Sequence, residues 1–96
     1  MHEKTSYWLE LAEYDLETAR AMIETERYRY VGFMCHQVIE KALKAVIANS
    51  DNNPPYIHNL SKLAELSGLY GQLSNEQKDV VDALEPLNIK SRYPDN

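Results

Sequence analysis

The stretch Arg29-Tyr30-Val31-Gly32-Phe33-Met34-Cys35-His36-Gln37-Val38-Ile39-Glu40-Lys41-Ala42-Leu43-Lys44-Ala45-Val46-Ile47-Ala48-Asn49 decides the fold. Turned at about 100° per residue, as a helix requires, it places Phe33, Gln37, Glu40, Lys41 and Lys44 on one narrow stripe. Tyr30, Met34, Val38, Ile39, Ala42, Leu43, Ala45, Val46 and Ile47 fill most of the remaining circumference. A helix apolar over that much of its surface needs neighbours on several sides. The rest of the chain is expected to supply the helices that surround it, and function is expected along the polar stripe.

Towards the N-terminus, Trp8, Leu11, Ala12, Asp15, Leu16, Ala19, Met22 and Ile23 recur at three- and four-residue steps. This predicts a first helix with one core-facing stripe, capped by Thr5 or Ser6 and running to about Glu26. Asp15 is the exception on that stripe. An unpaired carboxylate is costly to bury, so Asp15 is expected at the stripe's edge or beside a cation or hydroxyl of another element. Arg27, Tyr28, Arg29 and Tyr30 alternate through the turn into the central helix. In that helix Gly32 leaves room for another backbone to come close.

Towards the C-terminus, Ser50-Asp51-Asn52-Asn53-Pro54-Pro55 combines polar turn formers with two prolines and predicts a loop. Asn59 is a good N-cap for a short third helix, with Leu60, Leu63, Ala64 and Ser67 on one face and Gly68 as the stop. His58 is expected to help fix the start of that helix. Ser74-Asn75-Glu76-Gln77 has the form of a capping box ahead of Val80, Val81 and Leu84, which predicts a fourth helix. Pro86 disfavours helix at Glu85. The tail beyond has no clear period, and no stretch reads convincingly as a strand.

A chain of 96 residues, 44% hydrophobic and 26% charged with only three glycines, suits one compact helical domain, residues 1–96. No run approaches the roughly 18 apolar residues of a membrane span, and the start lacks the apolar core of a signal peptide. Cys35 is the single cysteine. It excludes an internal disulfide and favours a cytoplasmic location, where a thiol on the apolar part of a helix is expected to be buried and inert. The net charge of -5 argues against a surface that grips nucleic acid throughout. Acidic residues gather on the first helix, whereas Arg27, Arg29, Lys41 and Lys44 leave a local basic strip.

The sequence has no Gly-rich phosphate loop, no paired cysteine ligands and no Gly-x-Ser-x-Gly turn. His2, His36 and His58 lack the spacing of a metal site. No metal, cofactor or catalytic residue is assigned. Gln37, Glu40, Lys41 and Lys44 form either a polar site facing a groove or an ordinary exposed face with an i,i+4 pair.

In order along the chain stand Trp8-Leu9-x-x-Ala12-x-x-Asp15-Leu16-x-x-Ala19, Tyr30-x-x-Phe33-x-x-x-Gln37-x-x-Glu40-Lys41-Ala42-Leu43-Lys44-Ala45, Pro55 then His58-x-Leu60-x-x-Leu63, and Arg92-Tyr93-Pro94-Asp95. This series resembles the HEPN domain (higher eukaryotes and prokaryotes nucleotide-binding). The resemblance implies an all-α, up-and-down bundle, here of four main helices and without the last helix of its relatives. It also implies a homodimer and a minimal nucleotidyltransferase partner in a toxin–antitoxin-like system, with nucleotide or RNA as ligand. Some relatives cut RNA with an Arg, four to six residues, then a His near the start of a late helix.

Arg92 takes the place of that Arg, but the sequence stops at Asn96 before the His. Arg29 and His36 satisfy the spacing on the wrong helix. The expectation is therefore a nucleotide- or partner-binding module, not catalytic by itself, the alternative being a metal-independent RNA-cleaving toxin. Gln37, Lys41, Lys44 and Arg92 are the expected anion contacts, supported by Asp15, Glu40, His58 and Tyr93.

Overall fold

A computed structural model describes residues 3–50 and 52–90 of the chain. Helix α1 spans Glu3–Glu24, α2 Val31–Asn49, α3 Leu60–Ser67 and α4 Asn75–Leu84, and a single turn, α5, spans Leu87–Lys90. Short 3-10 turns, Tyr28–Tyr30 and Tyr70–Gln72, precede α2 and α4. No strand occurs among the described residues. The molecule is an all-α bundle in which α2 touches each of the other helices.

Helices α1 and α2 are antiparallel, as their paired positions show. Thr5 lies against Ala45, Trp8 against Lys44 and Asp15 against Lys41, so one number rises as the other falls. Small buried residues, Ala12 and Ala19 on α1 with Ala45 and Ala48 on α2, lie in these two helices. Their size permits close approach. The larger apolar core lies on the other side of α2, where Leu43 and Ile47 meet Leu63 and Ala64 of α3, flanked by Ile39, Ile57, Leu69, Tyr70 and Leu73.

Local signals set most boundaries. Asn59 Oδ1 accepts from the Lys62 amide at 2.8 Å, and Gly68 closes α3 at φ 82, a left-handed conformation suited to glycine. The Ser74 hydroxyl accepts from the Gln77 amide at 3.1 Å while the Gln77 side chain accepts from the Ser74 amide at 2.9 Å, completing the capping box.

Three expectations need correction. Thr5 does not cap α1: the helix begins at Glu3, and the buried Thr5 hydroxyl donates to the Ala45 carbonyl at 3.4 Å instead. The helix ends at Glu24, two residues early, because Glu26 turns the chain through φ 58. Gly32 is approached by the Leu87 side chain rather than by a backbone, a Cβ there falling 2.5 Å from Leu87 Cδ1. Helix α4 does end at Leu84, ahead of Pro86, although Glu85 keeps helical dihedrals of φ −49 and ψ −52. That placement turns its carboxylate towards α3.

Candidate functional site

The stripe of α2 expected to face outwards faces inwards. Glu40 and Lys44 are 3% and 4% exposed, and Lys41 is half-buried. Charged groups lie inside a fold only with partners, and each of these has one from another element. Lys41 Nζ donates to Asp15 of α1, so Asp15 meets the cation its position calls for. Lys44 Nζ donates to Glu40 at 3.2 Å and stands 5.4 Å from the centre of the Trp8 ring. Gln37 donates to the Asn88 side chain of α5 at 3.3 Å.

Glu40 is the hub of a second chain of polar contacts. His58 Nδ1 lies 3.0 and 3.1 Å from the two Glu40 oxygens, which ties the loop before α3 to the middle of α2. The His58 side chain is 59% exposed, so the far edge of its ring meets solvent. His36, one turn before Glu40, is completely buried. Its Nδ1 faces Glu40 at 3.6 Å and its Nε2 faces Glu85 at 3.5 Å. Neither ring nitrogen has a hydrogen-bond partner, a rare state for a buried side chain.

Glu85 in turn caps α3. Its Oε1 accepts from the amides of Leu60 and Ser61 at 2.6 and 3.3 Å. With Lys62 donating to the Asn59 side chain and Leu63 to the Asn59 carbonyl at 3.0 Å, all four leading amides of α3 have acceptors. A carboxylate at a helix N-terminus also opposes the positive end of the dipole. His58 therefore anchors the approach to α3, while Asn59 and Glu85 satisfy its start.

The residues expected to bind anions are thus divided. Lys41, Lys44 and Gln37 are brought together with Asp15 and Glu40, but as internal pairs rather than as an open site. Arg92 and Tyr93 lie outside the described residues. The Arg29–His36 pair makes no common site: Arg29 is exposed in the 3-10 turn, and His36 is sealed inside. His36, Glu85 and Asn88 were not among the expected site residues. Apart from the one-turn step between His36 and Glu40, their contacts join positions far apart in the chain, so no local pattern marks them. Among the described residues no group of His, Cys, Asp and Glu is arranged to hold a metal.

What the stripe gives up in exposure, the apolar part of α2 takes. Cys35, Val38 and Ile39 line an open groove of about 310 Å³ with Leu16 of α1 and Val80 and Leu84 of α4. Leu16 is 37% exposed and Val80 51%. Cys35 is half-buried there, not sealed.

An antiparallel α1–α2 pair, a central helix with its Glu-Lys stripe turned in, and His58 clasped to Glu40 ahead of a short capped α3 now stand together. The family model described as the HEPN domain matches residues 5–96. The chain belongs to the HEPN domain family. As a HEPN domain it falls among nucleotide-binding or ribonuclease-like modules. Neither the curated proteins nor the solved structures give a match. No helix among the described residues of this HEPN domain is long and apolar enough to cross a membrane.

Proposed function

We propose that this HEPN domain is a nucleotide- or partner-binding module that dimerises and works beside a minimal nucleotidyltransferase in a toxin–antitoxin-like pair in the cytoplasm. The observation that carries the interaction half is the groove between α2 and α4. Its lining of Leu16, Cys35, Val38, Ile39, Val80 and Leu84 contains no charged or amide side chain. An open groove lined only by apolar side chains and a thiol offers a second protein a surface to cover without stranding a charge. A second copy of the chain would cover it.

The ribonuclease alternative draws less support. Metal-independent cleavage needs a histidine that can move a proton at the ribose or leaving oxygen and an arginine that balances phosphate charge. Among the described residues His36 is inaccessible, and the accessible His58, although oriented by Glu40, has no arginine four to six residues ahead of it. Arg92 stays in the proposal as an anion contact, while Lys41 and Lys44 are engaged by Asp15 and Glu40.

The test is mixing. The purified full chain is combined with the product of an adjacent nucleotidyltransferase gene, and separately with RNA. Formation of a stable complex with the RNA left intact is the expected result. Cleavage of RNA by the chain alone, lost in Arg92→Ala, would overturn the proposal in favour of the toxin.

A further inference from the structure

Where α1 gives way to α2 the chain reads Glu26-Arg27-Tyr28-Arg29-Tyr30, and none of these residues serves the core. All five are exposed, Tyr28 by 61% and Tyr30 by 40%. With Met22 they line an open cleft of about 540 Å³. Two features set this corner apart from an ordinary solvated turn. The first is the state of its charges: neither Arg27, Arg29 nor Glu26 joins an ion pair among the described residues. Lys41, Lys44 and Arg20 are paired, and Lys62 and Lys78, which also join no ion pair among the described residues, stand on other elements, so Arg27 and Arg29 are two unpaired cations in one cleft. The Arg29 guanidinium instead stands 5.6 Å from the centre of the Tyr30 ring, a contact that steadies it and leaves its N–H fork unused. The second is how the chain leaves α1. Glu26 takes the left-handed conformation at φ 58 as the C-cap turn of α1, its amide donating to the Ile23 carbonyl at 3.1 Å and the Arg27 amide to the Met22 carbonyl at 2.7 Å, so Arg27, Tyr28 and Arg29 are presented from a hydrogen-bonded turn.

The chemistry of the cleft is specific in kind. Guanidinium forks match phosphate oxygens through paired N–H donors. Exposed tyrosine rings give bases a face on which to stack, with little regard to which base it is. Glu26 is the single carboxylate in the lining, so two arginines leave the cleft positive within a chain whose net charge is -5. We propose that this corner is where the domain takes its nucleotide, with the phosphate on Arg27 and Arg29 and the base stacked on Tyr28. The proposal rests on the nucleotide-binding reading above and adds its place. A free nucleotide and a unit of single-stranded RNA offer the same base and phosphate.

The experiment is calorimetric titration of the full chain with AMP, ATP and a single-stranded oligoadenylate. The variants are the double change Arg27→Ala with Arg29→Ala, Tyr28→Ala, Tyr28→Phe and, as a distant cationic control, Lys62→Ala. Circular dichroism melts confirm that each variant stays folded. Tyr28→Ala and the double arginine variant are expected to weaken binding by roughly tenfold or more, the scale of one lost stacking or phosphate contact. Tyr28→Phe keeps the ring and should bind as the parent does, and so should Lys62→Ala. Saturation by AMP or ATP assigns the cleft to free nucleotide, and binding of the oligoadenylate alone assigns it to RNA. If the parent binds and the cleft variants bind equally well, the cleft is overturned and the nucleotide-binding reading stands. Equal weakening by Lys62→Ala would also overturn it, since a general charge effect would then account for the loss. A parent chain that binds none of the probes removes the nucleotide-binding reading, and the cleft with it.

Discussion

Asp15 and Lys41 illustrate how a single residue's placement follows from cost. Asp15 interrupts an otherwise apolar stripe, and its side chain is 10% exposed against 20% for that of Lys41. The two halves of this pair are unequal. Removing Lys41 leaves a carboxylate with no route to water, whereas removing Asp15 leaves a long flexible stem that can carry its ammonium outwards. Lys41→Ala should therefore destabilise the fold by about 3 kcal/mol and Asp15→Ala by only about 1–2 kcal/mol, the lower figure reflecting recovered solvation. Urea denaturation of the two variants measures the difference; equal large losses would mean the Lys41 ammonium is as confined as the carboxylate, and losses near zero in both would mean the pair behaves as a surface contact. The need for a partner at Asp15 was legible from its position among Ala12, Leu16 and Ala19. That the partner would come from the α2 stripe was not, because the stripe reads just as well as an ordinary solvated face.

At the scale of elements, boundaries set by neighbours in sequence were legible, and those set across the fold were not. Asn59, Gly68 and the Ser74–Gln77 box act within a few residues of themselves, so their chemistry can be read directly. Glu85 acts on amides 24 and 25 positions away, and nothing beside it announces that. Nor could α5 be read from four residues, too few for a period, though Leu87 fills the space above Gly32. The carboxylate of Glu85 supplies two of the four leading amides of α3. Its loss in Glu85→Ala should cost about 1–3 kcal/mol, as buried donors are left unsatisfied. Hydrogen exchange at Leu60 and Ser61 should quicken more than at Leu63, whose acceptor is the Asn59 carbonyl and remains. Uniform quickening along α3 would show instead that the whole helix has come loose.

For the molecule as a whole, the central helix is turned about from its simplest reading. A helix with one polar stripe is expected to show that stripe to water. Here α1, α5 and the loop before α3 each bring a partner to the stripe, and so it lies inside while Cys35, Val38 and Ile39 line a groove that stays open. Hydrophobic periodicity tells which residues share a face, but not which face a partner has covered. That is why the bundle was legible and the candidate site was not. The same inversion leaves open the groove proposed above to take a second copy of the chain.

Sedimentation equilibrium of the full chain, beside Val80→Glu, tests this most directly. Val80 is half-exposed on the groove wall, so a carboxylate there reaches water in a free chain and is trapped in a covered one. The account predicts a dimer mass for the parent and a folded monomer for Val80→Glu. A parent that sediments as a monomer, or a Val80→Glu variant that keeps the parent's dimer mass, would contradict it.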